Sequence, residues 1–257
     1  MNKEELLPFL NETKYCNFNN PEIKKVAEEI TKSCNSEKEK IITLFQWVKE
    51  NIKFEFSYWG TDVVQTLKKG KGMCTNKSNL LIAFLRALKI PAGYGILKVK
   101  TAEFYGDLMC PFFKKLASPQ SVHIYAGVFL NGKWIRCDPS VDSELARVLE
   151  KKTLFAEFSG FDLRENEIKK IKGILEKKEF LANIDKELSK PPQNLKGEKL
   201  ELGNHYLLFL RKNETLIKNL RKSEEIEEKF MEWLKNENSS LFNFFKPEYE
   251  RFKKFKK

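Results

Sequence analysis

The clearest periodic pattern in the chain lies between residues 74 and 88. Apolar side chains recur there every three or four positions, which predicts a helix with a buried apolar face. Gly70 and Gly72 precede the pattern and let the backbone turn sharply, and Pro91 ends it. The spacing therefore predicts that Cys74 is the first residue of a central helix.

A second pattern, the alternation of apolar and polar positions over residues 121–138, is typical of a β-hairpin. Asn131-Gly132 is a strong signal for a two-residue type I′ turn, so the segments on either side of it are expected to pair. Residues 92–100 are expected to form a further strand ahead of this hairpin.

Helices are expected before this central part of the chain. Residues 21–33 carry apolar side chains on one helical face, and a second helix is expected to start near Ser36. Residues 51–69 look irregular, apart from a short helix over residues 63–67. Residues 101–120 are interpreted as a long loop or a short helix.

The chain after residue 143 is rich in Lys, Glu, Leu and Phe and predicts helices. Two exceptions are expected: a small hairpin over residues 200–210 around Gly203-Asn204, and a basic, solvated tail over residues 246–257. The expected organisation has three parts: an N-terminal helical segment, a core and a mainly helical C-terminal extension, at residues 1–37, 38–142 and 143–257.

Composition narrows the class of protein. The 257 residues are 41% hydrophobic and 32% charged, which is typical of a soluble globular protein. The net charge of +11 is spread along the chain and accompanies no nucleic-acid-binding motif, so a nucleic acid is not the expected partner. No apolar run is long enough for a membrane span, and the apolar core of the N-terminus is too short for a signal peptide.

The cysteines point to a reducing compartment. They are odd in number and show no paired spacing, so free thiols and a cytoplasmic location are expected. They are Cys16, Cys34, Cys74, Cys110 and Cys137.

Cys74 is a candidate nucleophile because of its place at a helix start. The positive end of the helix dipole favours a thiolate over a thiol. The alternative is that Cys74 is only a small buried hydrophobic residue, as free cysteines often are.

The hairpin register predicts a partner for such a nucleophile. A two-residue turn pairs Tyr125 with Asp138, which places Asp138 on the same sheet face as His123 and diagonal to it. A carboxylate in that position would orient the imidazole, whereas Cys137 points to the opposite face. The alternative is a histidine of the core beside an aspartate that only caps a turn.

Taken together, Cys74, His123 and Asp138 form a minimal set for thiol catalysis. The thiolate would attack a carbonyl, His123 would act as general acid and base, and Asp138 would orient its ring. The chain has only two histidines, and His123 is preferred to His205 because only His123 has a predicted orienting acid.

The same residues carry a resemblance to a family. Gly72-Met-Cys74 and the helix after it resemble the cysteine motif of the transglutaminase-like superfamily. The segment from His123 to Asp138-Pro-Ser resembles the histidine and aspartate motifs of that superfamily. With the helix at Phe45-Gln-Trp, the resemblance covers residues 38–142. Met73 and Thr75 stand where the eukaryotic cross-linking enzymes have Gln and Trp, so the chain is more similar to the prokaryotic members.

The resemblance implies an α+β, papain-like fold, in which the helix carrying the nucleophile packs on an antiparallel sheet carrying His and Asp. It implies acyl transfer at amide bonds of a protein or peptide substrate, most simply as a peptidase or amidase. Transamidation by the same triad and a non-catalytic protein-binding or peptide-binding module remain alternatives. An occluded Cys74 would favour the binding module.

Neither a cofactor nor a metal is expected, because the two histidines and scattered cysteines give no zinc spacing and the glycines match no phosphate-binding pattern. An oxyanion formed at the site would need two hydrogen-bond donors. The backbone N–H of Cys74 is the first candidate. Trp59 and Gln65 could supply the second, but a packing role for Trp59 and a surface role for Gln65 are favoured, so neither is included in the expected site.

Overall fold

A computed structural model of the chain describes residues 1–106, 109–149, 153–162, 173–190, 196–220 and 222–256. The part that precedes the main sheet is mostly helical, as the sequence predicts. After a short 3-10 turn at Leu7–Leu10, three of its helices begin at side-chain caps from Asn20, Ser36 and Asp62. The helices are α1 (Lys3–Leu6), α2 (Pro21–Thr31), α3 (Glu37–Asn51), α4 (Val63–Lys69) and α5 (Cys74–Ala87).

The sheet lies in the centre of the fold. A short parallel pair, β1 (Lys53–Phe54) and β2 (Lys71–Gly72), leads into α5. The main sheet is antiparallel, in the order β6-β5-β4-β3-β7. Its strands are β3 (Ala92–Lys100), β4 (Gln120–Leu130), β5 (Lys133–Asp138), β6 (Gly160–Asp162) and β7 (Ile174–Leu181).

The helix α5 packs on this sheet and is buried on all sides. Every residue from its start to Arg86 is buried, as expected for a helix enclosed by a sheet on one face and by other helices on the rest. Its polar side chains bind the sheet: Ser78 donates to the carbonyl of Ile124 at 3.3 Å, and Asn79 accepts from the Tyr94 hydroxyl at 2.5 Å. The expected α+β core, with a helix on an antiparallel sheet, is therefore present.

The remaining helices follow the strands. Two short ones, α6 (Thr101–Tyr105) and α7 (Pro111–Leu116), connect β3 to β4, where the sequence predicts a loop or short helix. The others lie after β5, and none of the described helices is long and apolar enough to cross a membrane. They are α8 (Ser143–Leu149), α9 (Leu154–Phe158), α10 (Asp185–Leu188), α11 (Gly197–Lys212), α12 (Glu214–Asn219), α13 (Ser223–Glu237) and α14 (Ser239–Lys256).

Strands β6 and β7 also come from the part of the chain after residue 143, and they form the two edges of the central sheet. The C-terminal part is mainly helical as expected, but it contributes to the core as well. The division into segments 1–37, 38–142 and 143–257 stays a prediction.

The predicted hairpin over residues 200–210 is wrong, because these residues lie inside α11. Gly203 is a site of close packing: a Cβ atom there would lie 2.8 Å from the Phe56 ring. The Asn204 side chain accepts from the backbone N–H of Phe56 at 2.8 Å and donates to its carbonyl at 3.0 Å. The Gly-Asn pair that resembles a turn therefore joins α11 to the core.

The basic residues near the C-terminus are exposed as expected, but they lie on a packed helix rather than on a free tail. Residues 246–256 belong to α14, which packs on α13 and α7. Lys253 pairs with Glu228 of α13 at 2.8 Å, and Phe112 of α7 contacts Phe245 and Tyr249. The apolar stripe on α14 stabilises it against the body of the protein, while its lysines face outward.

A buried ion pair joins the C-terminal helices to the core. Asp142, which is fully buried, accepts from Arg211 of α11 at 2.5 Å and from the backbone N–H groups of Phe54 and Leu145 at 2.9 and 3.1 Å. Burial raises the pKa of Asp142, but the positive charge of Arg211 and these hydrogen bonds outweigh burial, so the pKa lies below its usual value. The contact keeps α11 close to the segment that leads to Cys74.

Candidate active site

The turn ahead of α5 places Cys74 at the first residue of the helix. Gly70 has a positive φ of 61° and ends α4, and the chain then runs through β2 to Met73. Asn76 accepts from the backbone N–H of Met73 at 3.1 Å. A Cβ atom at Gly72 would lie 2.7 Å from the Cβ of Asn76, so only glycine fits at this approach.

The hairpin has the predicted register. Leu130 pairs with Lys133 and Ala126 with Cys137, and both turn residues have positive φ, 52° at Asn131 and 81° at Gly132. This register brings the side chains of His123 and Asp138 together.

The expected contact between these two side chains is present. His123 Nε2 lies 2.8 Å from Asp138 Oδ2, and both side chains are fully buried. The other carboxylate oxygen, Oδ1, accepts from the backbone N–H and the hydroxyl of Ser140, at 3.1 and 2.5 Å. The carboxylate is therefore held on both oxygens and fixes the orientation of the ring.

Aromatic rings surround His123 and exclude water from it. Their centroids lie 5.3 to 6.4 Å from that of the imidazole. Burial by itself lowers the pKa of His123, but the negative charges of Asp138 and Cys74 and the hydrogen bond to Asp138 outweigh burial and raise the pKa to about 10. The rings are those of Phe104, Tyr125, Phe155 and Phe158.

Cys74 lies close to the imidazole, because its charge raises the pKa of the ring. The ring nitrogen Nδ1 is buried and makes no hydrogen bond within the part of the chain that the structure describes. Cys74 is 1% exposed, so the side chains that cover it must move before a substrate can reach the sulfur. The structure thus brings together all three residues that the sequence singled out.

A family model matches the part of the chain that contains these three residues. Residues 24–139 match the model of the transglutaminase-like superfamily. The chain contains a transglutaminase-like domain. The match spans α2 to β5 and includes Cys74, His123 and Asp138.

Solved structures similar to this chain include proteins named as proteases. One from Cytophaga hutchinsonii, named as a candidate cysteine protease, is 20% identical over 54% of this chain and 43% of its own, with a TM-score of 0.43. One from Parabacteroides distasonis, named as a candidate protease, is 16% identical over 53% and 26%, with a TM-score of 0.36. A third, named as a TGase, is 17% identical over 54% and 33%, with a TM-score of 0.32. The chain therefore spans less than half the length of each of these structures. A comparison with curated proteins found no match.

Trp59 is the better placed of the two side chains considered as a second oxyanion donor. Its indole Nε1 is buried and has no partner among the described residues, and Asn76 donates to the carbonyls of Tyr58 and Trp59 at 3.0 and 3.5 Å. These bonds hold the Trp59 backbone against the start of α5. Gln65, by contrast, is exposed on α4.

Two residues near the triad of the transglutaminase-like domain carry no sequence signal. Tyr105 borders the site, where burial first and the charge of Cys74 second raise its pKa. Lys77 is fully buried one helical turn after Cys74, and its ammonium donates to the carbonyl of Lys49 at 3.0 Å. Tyr105 lies outside the motifs, and Lys77 lies within the cysteine motif without being one of its characteristic residues. Only the tertiary structure brings Tyr105 to the site and buries Lys77.

A cavity of about 820 Å³ lies near Cys74, because its lining includes Met73, the residue that precedes Cys74 in the chain. Tyr105, whose pKa the charge of Cys74 raises, also lines the cavity, as does Trp59. Tyr206 and Leu207 of α11 line another wall. The transglutaminase-like domain and the C-terminal helices therefore form this space together. No group of three metal-binding side chains lies within the described residues.

Proposed function

We propose that this protein is a cysteine-dependent acyl-transfer enzyme that acts on amide bonds, as a peptidase or amidase. The observation that carries the proposal is the buried imidazole of His123, which lies 2.8 Å from the Asp138 carboxylate and close enough to Cys74 for the cysteine's charge to raise its pKa. An imidazole between a carboxylate and a thiol is the arrangement that thiol catalysis requires.

In the first half of the reaction the Cys74 sulfur attacks the amide carbonyl carbon and forms a C–S bond. The charged imidazole of His123 stabilises the attacking thiolate, and its raised pKa keeps the proton available at neutral pH. As the C–N bond breaks, this proton moves to the leaving nitrogen, which departs as an amine and leaves a thioester on Cys74. Asp138 keeps the ring in position through the transfer.

In the second half a water molecule attacks the thioester carbonyl while neutral His123 takes its proton. The C–S bond breaks, a carboxylic acid is released and the Cys74–His123 pair is restored. An amine that replaced water in this step would give transamidation. Hydrolysis is the simpler proposal because it needs no second substrate.

The oxyanion of both tetrahedral intermediates needs two donors. The backbone N–H of Cys74 supplies one, because the first N–H groups of a helix have no partner within the helix. The buried, unpartnered Nε1 of Trp59 at the cavity wall supports Trp59 as the second.

The alkylation rate of Cys74 tests the cysteine–histidine pair directly. We expect Cys74 to react with iodoacetamide at pH 6 at least about tenfold faster than Cys34, because an adjacent imidazolium favours the thiolate. Mass-resolved labelling measures both cysteines in one molecule, and the partly exposed Cys34 is the internal control. In His123→Ala the advantage of Cys74 should disappear.

The 1% exposure of Cys74 favours a second candidate, a non-catalytic module that uses the same fold to bind a protein or peptide. Slow alkylation of Cys74 at every pH, unchanged in His123→Ala, would support this candidate and contradict the enzyme.

Asp138→Asn tests the orienting role. We expect a decrease in turnover on the order of 10²-fold or more, because the amide cannot both orient and stabilise the charged ring. Since the Asp138 charge raises the pKa of His123, the alkaline limb of the pH–rate profile should move to lower pH in the variant. A decrease in rate with an unmoved pH profile would reduce Asp138 to a structural residue of the turn.

We also propose a reducing compartment, the cytoplasm, and a protein or peptide as substrate. All five cysteines are free, and four of them are buried, which supports a thiol enzyme that never meets an oxidising environment.

A further inference from the structure

The size and position of the cavity near Cys74 indicate which group of a substrate it could hold. Its volume of about 820 Å³ lies in the upper part of the range of roughly 300–1,000 Å³ that ligand sites span. Its lining includes Met73, which precedes Cys74 in the chain, and Tyr105, whose pKa the charge of Cys74 raises. A substrate whose amide lies at Cys74 therefore has this space available for one of its groups.

Helix α11, which lines part of the cavity, is held against the core by specific contacts. Gly203 packs against the Phe56 ring, and Asn204 binds both backbone groups of Phe56. Further along the helix, Arg211 binds the buried carboxylate of Asp142. The cavity is therefore a built site between two packed elements rather than a gap between loosely placed helices.

The interior of the cavity is apolar and rich in aromatic rings. Phe54 and Phe56 contact each other at 5.7 Å between ring centroids, and Phe113 contacts Tyr206 at 4.8 Å. Leu207 lies on the same wall as Tyr206. Such a surface binds a large apolar or aromatic group, which loses its contact with water on entering.

The mouth of the cavity is basic. Five exposed lysines line it, against two glutamates, Glu176 and Glu187. Among the described residues none of the five has a salt-bridge partner. They come from three parts of the chain (two from the sheet, two from α10 and the residues after it, and one from α11), so positive charge surrounds the opening. The lysines are Lys98, Lys178, Lys186, Lys190 and Lys199.

We infer that this cavity binds a large apolar side chain of an acidic peptide segment, next to the amide that Cys74 attacks. The apolar interior takes the side chain, and the lysines at the mouth attract the flanking carboxylates. This inference rests on the proposed acyl-transfer function, and it assigns the C-terminal helices a part in substrate selection.

Binding to the Cys74→Ala chain tests the inference without any turnover. The probe is the peptide acetyl-Glu-Glu-Phe-Gly-Glu-Glu-amide, and isothermal titration calorimetry gives its Kd. We expect at least about tenfold weaker binding when Phe is replaced by Ser, because the buried apolar area is lost. A similar loss is expected when the four Glu are replaced by Lys, and higher salt should weaken binding of the acidic peptide.

Two matched variants locate the binding. Leu207→Trp fills the cavity and should weaken binding of the Phe peptide at least about tenfold. Leu208→Trp is the control, because Leu208 is 38% exposed on the same helix whereas Leu207 is 3% exposed. If Leu207→Trp does not fold, the comparison of the Phe and Ser peptides still decides.

The inference is overturned if the Phe and Ser peptides bind equally, or if the acidic and basic peptides do. Turnover of the same peptides by the unaltered chain distinguishes a failure of this inference from a failure of the proposed function. Selective binding without turnover would support the cavity and contradict the enzyme. Equal turnover of the Phe and Ser peptides would support the enzyme and contradict the cavity.

Discussion

Cys74→Ala is expected to reduce amide turnover to background. Removing the nucleophile of a thiol enzyme removes the covalent route altogether, and losses on the order of 10⁴-fold or more are usual for such changes. The sulfur is buried with its neighbours packed around it, so the change from a thiol to a methyl group leaves only a small gap. Amine released from a panel of peptide amides is the measurement.

Cys34→Ala is the matched control. Cys34 is a partly exposed cysteine that donates to the hydroxyl of Thr43 at 3.5 Å, and its replacement should leave turnover unchanged. A thermal melt on both variants shows whether each is folded. Turnover by a folded Cys74→Ala chain at the wild-type rate would end the assignment of Cys74 as nucleophile.

Lys77→Met is expected to stabilise the protein, and more so at low pH. Burial lowers the pKa of Lys77 from 10.5 to about 7, and the negative charges of Asp142, Asp138 and Glu50 only partly oppose this. In the unfolded chain Lys77 binds a proton up to its ordinary pKa, whereas in the folded chain it releases the proton near pH 7. The free energy of unfolding therefore rises with pH through this window.

The expected gain in the free energy of unfolding follows from the pKa shift of Lys77. At about 1.4 kcal/mol per pKa unit, less about 1 kcal/mol for the lost hydrogen bond to Lys49, Lys77→Met should gain on the order of 4 kcal/mol. The gain should be complete below about pH 7 and should fade as the pH approaches 10.5. Urea unfolding at pH 6 and at pH 10 measures it.

Lys69→Met is the control for Lys77→Met, because Lys69 is exposed at the end of the neighbouring helix α4. It should change the free energy of unfolding by less than about 0.5 kcal/mol at either pH. A Lys77→Met chain that is less stable than the unaltered protein at pH 6 would mean that ion pairing with the carboxylates outweighs the cost of burial.

The parts of the site that depend on short stretches of chain could be predicted from the sequence. The type I′ turn at Asn131-Gly132 sets the register of the hairpin, and the register sets the contact between His123 and Asp138. The glycines before Cys74 and the apolar spacing after it likewise set the start of α5. In each case neighbouring residues decide the geometry, so no distant part of the fold has to be known.

Predictions failed where a local signal served a distant contact. Gly203-Asn204 resembles a turn, yet it lies within α11, where the glycine allows close packing on Phe56 and the amide binds the Phe56 backbone. The lysines near the C-terminus resemble a solvated tail, yet they lie on a helix whose other face packs on Phe112. A pattern of residue types does not say which partner a helical face meets.

The sequence by itself determined the antiparallel hairpin, the helix that begins at Cys74, the pairing of His123 with Asp138 and the resemblance to the transglutaminase-like superfamily. Only the tertiary structure decided that Cys74 lies beside His123 and is covered, that Lys77 is buried beneath them, and that α11 closes a cavity with a basic mouth. The physical reason is that hydrogen-bond register and helix starts are set by neighbours along the chain. Burial, and the electrostatics that follow from it, depend on segments more than 100 residues apart, such as Phe56 and Asn204, 148 residues apart.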